Sequence, residues 1–127
     1  MRLRALALRS GCRGRLPEGM TKERLENDAK AIVDAVNARD YEAVVALFSQ
    51  EHALPLEEWQ TALDPLNDQL GAFAEYKSAS YLTTEEEDMG ETVTLMLESK
   101  YQNGDIIWMV SFTPDYEIVG LFARNAQ

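Results

Sequence analysis

Between Thr21 and Gln127 the spacing of apolar positions changes once, at Gly71. Before it, apolar residues recur every three or four positions, the period of a helix with one buried face. After it they alternate, the period of a half-buried strand. Residues 21–38 read as a first amphipathic helix, with Leu25, Ala29, Ile32, Val33 and Val36 on one face and Thr21 at its N-cap. Asp40 caps a second, striped by Tyr41, Val44, Val45 and Phe48. In "LPLEEWQTALDPLNDQLG" a third carries Leu56, Trp59, Leu63, Leu66 and Leu70, with Pro55 in its first turn and Gly71 at its stop. Pro65 lacks an N–H, so this reading predicts a kink or restart there, with Asp64 as a fresh cap.

Four strands are predicted beyond Gly71, near 72–83, 91–101, 105–113 and 117–124. Asn103-Gly104 is a natural type I′ turn. With Gln102 opposite Asp105, Tyr101 meets Ile106, Ser99 meets Trp108, Leu97 meets Val110 and Leu95 meets Phe112. Those residues, with Val93, Ile118, Gly120 and Phe122, form the expected core face. Met96, Ile107, Met109, Val119 and Leu121 fall on the other face. Such a cluster is better explained by burial against another chain than by chance, which points to a homodimer through the outer sheet face. On the first strand Ala72, Ala74, Tyr76, Ser78, Ser80 and Leu82 share an uncharged face.

The fold class that follows is α+β, with three N-terminal helices on one face of a curved four-stranded antiparallel meander. The runs "YEAVVALFSQEHALPLEEWQTALDPLNDQLGAF" and "VTLMLESKYQNGDIIWMVSFTPDYEIVGLF" resemble a small bacterial family, domain of unknown function 3887. Phe48, Trp59, Leu63, Gly71, Phe73, Asn103-Gly104, Phe112, Gly120 and Leu121 carry the resemblance, over roughly 21–123. It implies a cone-shaped, cystatin-like fold of the nuclear transport factor 2-like superfamily. Members of the family often carry Asp-Gly before the last strand; here the pair is Asp115-Tyr116.

Charge divides the chain in two. Residues 1–19 hold five arginines against Glu18; from Met20 onward seven Lys/Arg face 21 Asp/Glu, a balance of −14. A body this acidic repels phosphate backbones and anionic membranes, so no nucleic acid is expected as a partner. No stretch has the length of a membrane span. The leader fails as a secretory signal, since Ala5–Leu8 is four residues long, and Arg9 stands where a lipoprotein signal before Cys12 needs an apolar residue. Residues 1–19 are therefore expected to be an upstream extension or disordered leader, with Met20 an alternative start, residues 20–127 one domain, and the location cytoplasmic.

Candidate chemistry is sparse. Cys12 is the one cysteine, which excludes an internal disulfide framework and a cysteine-rich metal site. His52 is the one histidine and reads as a loop residue, because a metal site needs several converging donors. The acids of "TTEEEDMGE" lack EF-hand spacing and read as a solvated loop. No acid falls on the expected core face, which argues against an acid–base enzyme. No cofactor is expected. What remains is a pocket for a small apolar ligand, lined by Trp59, Tyr76, Ser99 and Trp108. The reading is a non-enzymatic homodimer that binds a small apolar ligand or a protein partner. The alternative is a small isomerase- or hydratase-like enzyme with an acid/base residue in the cone.

Overall fold

The computed structural model describes residues 16–87 and 90–126. The leader as far as Arg15, Cys12 included, lies outside them, as do residues 88 and 89 of the acidic loop. Helices α1 (Lys22–Asn37), α2 (Tyr41–Leu47) and α3 (Leu56–Leu70) precede strands β1 (Phe73–Glu86), β2 (Gly90–Tyr101), β3 (Gly104–Phe112) and β4 (Ile118–Asn125). The strands form one antiparallel sheet in the order β1-β2-β3-β4. Three helices followed by this sheet make the expected α+β arrangement.

The predicted caps of the first two helices form. Thr21 accepts from the Arg24 amide at 3.1 Å, and Asp40 accepts from the Ala43 amide at 3.3 Å. Each satisfies a donor that the first helical turn would leave free. Packing reaches back beyond Met20, which is buried, to Leu16, which rests against the core. Pro65 does not restart α3. The helix continues through it, and Asp64 accepts from Arg39 and Tyr41 instead of capping a new turn. Leu63, Asn67 and Leu70 straddle Pro65 and are all buried, so burial of the continuous face outweighs the one amide bond that proline forfeits.

The β2–β3 hairpin is in a register two residues away from the expected one. Tyr101 pairs with Gly104, Ser99 with Ile106, Leu97 with Trp108 and Leu95 with Val110. The two turn residues are Gln102 and Asn103, and the positive φ (152°) falls on Gly104. The reason lies outside the hairpin, because its tip is bonded to the end of α3. The Asn103 amide donates to the Leu70 carbonyl (2.9 Å) and the Gln102 amide to the Ala72 carbonyl (2.8 Å). The Asn103 side chain donates to the Gln69 carbonyl (2.9 Å). A slip of two leaves every side chain on its face. Val93, Leu95, Leu97, Ser99, Tyr101, Ile106, Trp108, Val110, Phe112 and Ile118 are all buried as expected.

Bulges correct the two outer strands. In β1 the pairing shifts around Ala74 and Lys77. Beyond Lys77, Ala79 and Tyr81 pack on the core, while Ser78, Ser80 and Leu82 pair with Glu98, Met96 and Thr94 of the outer face. In β4, Phe112 pairs with Ile118 as expected, but Ser111 then pairs with Gly120, leaving Val119 unpaired. One extra residue turns the rest of the strand over. Leu121, expected outside, packs against the core; Phe122, expected inside, is 61% exposed beside Met109. Gly120, expected on the core face, sits in the outer row under the Phe122 ring, whose edge is 3.2 Å from where its Cβ would be.

Tyr116 adopts a positive φ (68°), a conformation that bulky side chains rarely take. Its hydroxyl accepts from the Thr21 amide at 2.8 Å, and the Arg24 guanidinium stacks 3.9 Å from its ring centre. These contacts at the start of α1 offset the backbone strain.

Candidate functional site

Two surfaces offer something beyond packing: the outer sheet face and a polar cleft beside the hairpin tip. On the outer face, cross-strand pairing builds rows. Ser80, Met96, Met109 and Phe122 form the middle row, flanked by Leu82, Thr94, Ser111 and Gly120 on one side and by Ser78, Glu98, Ile107 and Arg124 on the other. Met96, Ile107 and Met109 are half-buried by their neighbours alone, with no helix over them. Toward one end Lys77 bridges Asp105 (2.8 Å) and Glu98 (3.8 Å), so charge rims an apolar centre. Of the five residues expected here, Met96, Ile107 and Met109 share the face, Val119 is the bulge residue, and Leu121 faces the core. Phe122 was missed because no alternation rule reveals a one-residue bulge.

Of the four residues expected to line a pocket, Tyr76 and Ser99 are cross-strand partners and Trp108 lies diagonally across from Ser99 on β3. Trp108, 1% exposed, donates from Nε1 to the Tyr101 hydroxyl at 3.0 Å. Ser99 is fully buried and donates to the Leu97 carbonyl. Trp59 packs on Phe48, ring centres 5.0 Å apart, and its buried Nε1 meets no acceptor among the described residues. Tyr76 borders a shallow cleft of about 290 Å3 with Lys22, Lys30 and Leu97 in its walls.

A second cleft, about 360 Å3, opens where the ends of α1 and α3 meet the hairpin tip. Asn37, Arg39, Asn67 and Asp68 supply its polar walls; Phe73 and Tyr101 stand behind them. Arg39 has positive φ (59°) just past α1, which aims its guanidinium at α3. It donates to Asp64 at 2.9 Å and to Asp68 at 2.8 Å, and these bonds hold it above the usual guanidinium range. Tyr41 donates to Asp64 at 2.6 Å, and Asn67 donates to the Tyr41 hydroxyl at 3.0 Å. Among the described residues no group of three or more His, Cys, Asp or Glu could hold a metal ion.

Three tyrosines titrate above their ordinary range. Tyr76 is raised by burial and by its 2.6 Å bond to Asp34, Tyr41 by burial and Asp64, and Tyr101 by burial. A phenol raised in the native state gives stability that is complete below its unfolded pKa, near 10, and lost as pH climbs toward the native value. The urea midpoint should therefore hold level to about pH 9.5 and fall above about pH 10. Tyr76→Phe should flatten that fall, and an equally steep fall in the variant would exclude Tyr76 as a source.

A family model described as "Protein of unknown function (DUF3887)" matches residues 29–121. The chain is also similar to a protein from Ruminococcus gnavus ATCC 29149 solved by NMR. The TM-score is 0.70 at 24% identity, covering 84% of this chain and 94% of that one. At that identity the likeness speaks to fold alone. No curated protein matches. Among the described residues no helix is long and apolar enough to cross a membrane.

Proposed function

As the chain belongs to the DUF3887 family of proteins of unknown function, it inherits no assigned activity, and we propose that it is a non-enzymatic interaction module acting as a homodimer. The partner surface is the outer sheet face, and the superfamily is the nuclear transport factor 2-like one. The observation that carries this is Phe122, 61% exposed in one row with Met96 and Met109 and next to Ile107. An exposed aromatic amid half-buried methionines, ringed by charge, has the composition of an interface centre. A second copy matches such a face by symmetry. The packing of Trp59, Ser99 and Trp108 favours a protein partner over a small apolar ligand. An isomerase or hydratase would need an ionisable group free of salt partners; in the larger cleft Arg39 and Asp68 hold each other.

Light scattering on the full chain tests the reading. The wild type should run as a dimer at micromolar concentration. Met109→Lys and Phe122→Asp should each raise the dissociation constant by about 100-fold or more, with circular dichroism unchanged. A monomeric wild type, or two variants as dimeric as the parent, would end the proposal.

A further inference from the structure

We propose that Asn103-Gly104 is a self-modification site: Asn103 deamidates through attack by the Gly104 nitrogen, and docking of the hairpin tip on α3 holds the reaction back. The inference is independent of any association through the sheet. Asparagine is a labile side chain, and a following glycine lacks the Cβ that would shield the attacking nitrogen. Asn103 is the one asparagine that glycine follows; Asn27, Asn37, Asn67 and Asn125 precede Asp or Ala. Both residues of the pair are exposed, so water reaches them. A Cβ at Gly104 would meet nothing within 4 Å, so side-chain packing gives no cover there either. What restrains the pair is its fastening. The Asn103 amide donates to the Leu70 carbonyl and its Nδ2 to the Gln69 carbonyl, each at 2.9 Å. Next to it the Gln102 amide donates to the Ala72 carbonyl at 2.8 Å, and Gln102 Oε1 accepts from the Ala72 amide at 3.3 Å. Backbone and side chain of Asn103 are thus held by the same end of α3, and Cγ cannot swing toward the Gly104 nitrogen without giving up Gln69.

The reaction therefore proceeds from the opened tip, and its rate follows the population of that state. The Gly104 nitrogen bonds to Cγ, the Cγ–Nδ2 bond breaks, and Nδ2 leaves as ammonia with the proton that the Gly104 nitrogen gave up. The product is a cyclic imide, which water opens. Cleavage of the new N–Cγ bond restores the ordinary chain with aspartate in place of Asn103. Cleavage between the same nitrogen and the main-chain carbonyl carbon leaves the chain running through Cγ, one carbon longer, as isoaspartate. Either product lacks the Nδ2 donor and adds a carboxylate beside the carbonyls of Gln69 and Leu70. An acceptor set against acceptors does not re-form the bond, so release of the tip is one-way.

The test is peptide mapping by mass spectrometry of the full chain incubated at mildly alkaline pH, with a free peptide of residues 100–106 as the undocked reference. Folded wild type should convert measurably at Asn103, about 10-fold or more slowly than the peptide, while the four other asparagines stay intact. Gly71→Ala, which lifts the tip, should convert about 5-fold or more faster than wild type, read on material whose circular dichroism matches the parent. Asn103→Asp supplies one product directly at an exposed position. The Gln102 amide should then exchange its hydrogen about 5-fold or more faster than in the parent. No conversion in the folded chain, equal rates in chain and peptide, no gain in Gly71→Ala, or a Gln102 amide as protected in Asn103→Asp as in the parent would each overturn the proposal.

Discussion

Trp108→Ala should cost about 3–5 kcal/mol of folding stability, the range for emptying a large aromatic site in a packed core. The ring is 1% exposed and lies in the middle of β3, opposite Leu97 and Ala123. Its removal leaves a void between sheet and helices that the neighbours fill only in part. It also takes the N–H from the Tyr101 hydroxyl, which still donates to Asn37 Oδ1 at 2.6 Å but then has an unused lone pair. At roughly 4 °C or more per kcal/mol the melting temperature should fall by about 15 °C. Trp108→Phe keeps most of the volume and should lose about half as much or less. If Trp108→Ala costs under about 1 kcal/mol, the ring is not where the core needs it.

The second large effect belongs to Gly71→Ala. Gly71 has φ 78° and ψ −154°, a region that side chains avoid at a cost of about 1–3 kcal/mol. Here the added carbon would also meet Gln102 Oε1 at 2.8 Å, Gln102 Cβ at 3.0 Å and Asn103 Nδ2 at 3.1 Å. To make room, the hairpin tip has to lift from α3 and give up its bonds to Leu70 and Ala72. A total loss of about 2–3 kcal/mol is expected by denaturant titration. Faster hydrogen exchange at the Gln102 and Asn103 amides would locate it. Unchanged protection at those amides would show that the tip is held by something other than this junction.

Much of the fold could be read from the residues, and the errors share a cause. Helix faces and caps came through because Leu25 to Val36 repeat over about three turns and Thr21 and Asp40 sit at the right offsets. The buried faces of β2 and β3 came through although the register was two residues off, since period two forgives an even slip. The Asn103-Gly104 turn was misjudged because bonds to Gln69, Leu70 and Ala72 come from a distant part of the chain. Lys77 and Val119 each add one residue that no local pattern announces, and everything beyond them changes sides. The cleft was missed for a similar reason. Its walls come from Asn37 and Arg39, Asn67 and Asp68, and Phe73 and Tyr101, which lie far apart in the sequence.

The unpaired residue of β4 has an evolutionary corollary. Deleting Val119 would restore regular alternation, drawing the ring at 122 inward and pushing the leucine at 121 out. Adhesiveness of the exterior thus hangs on chain length at one position, not on composition. A gain or loss of a single codon there would exchange the side chains that the exterior presents without altering any of them.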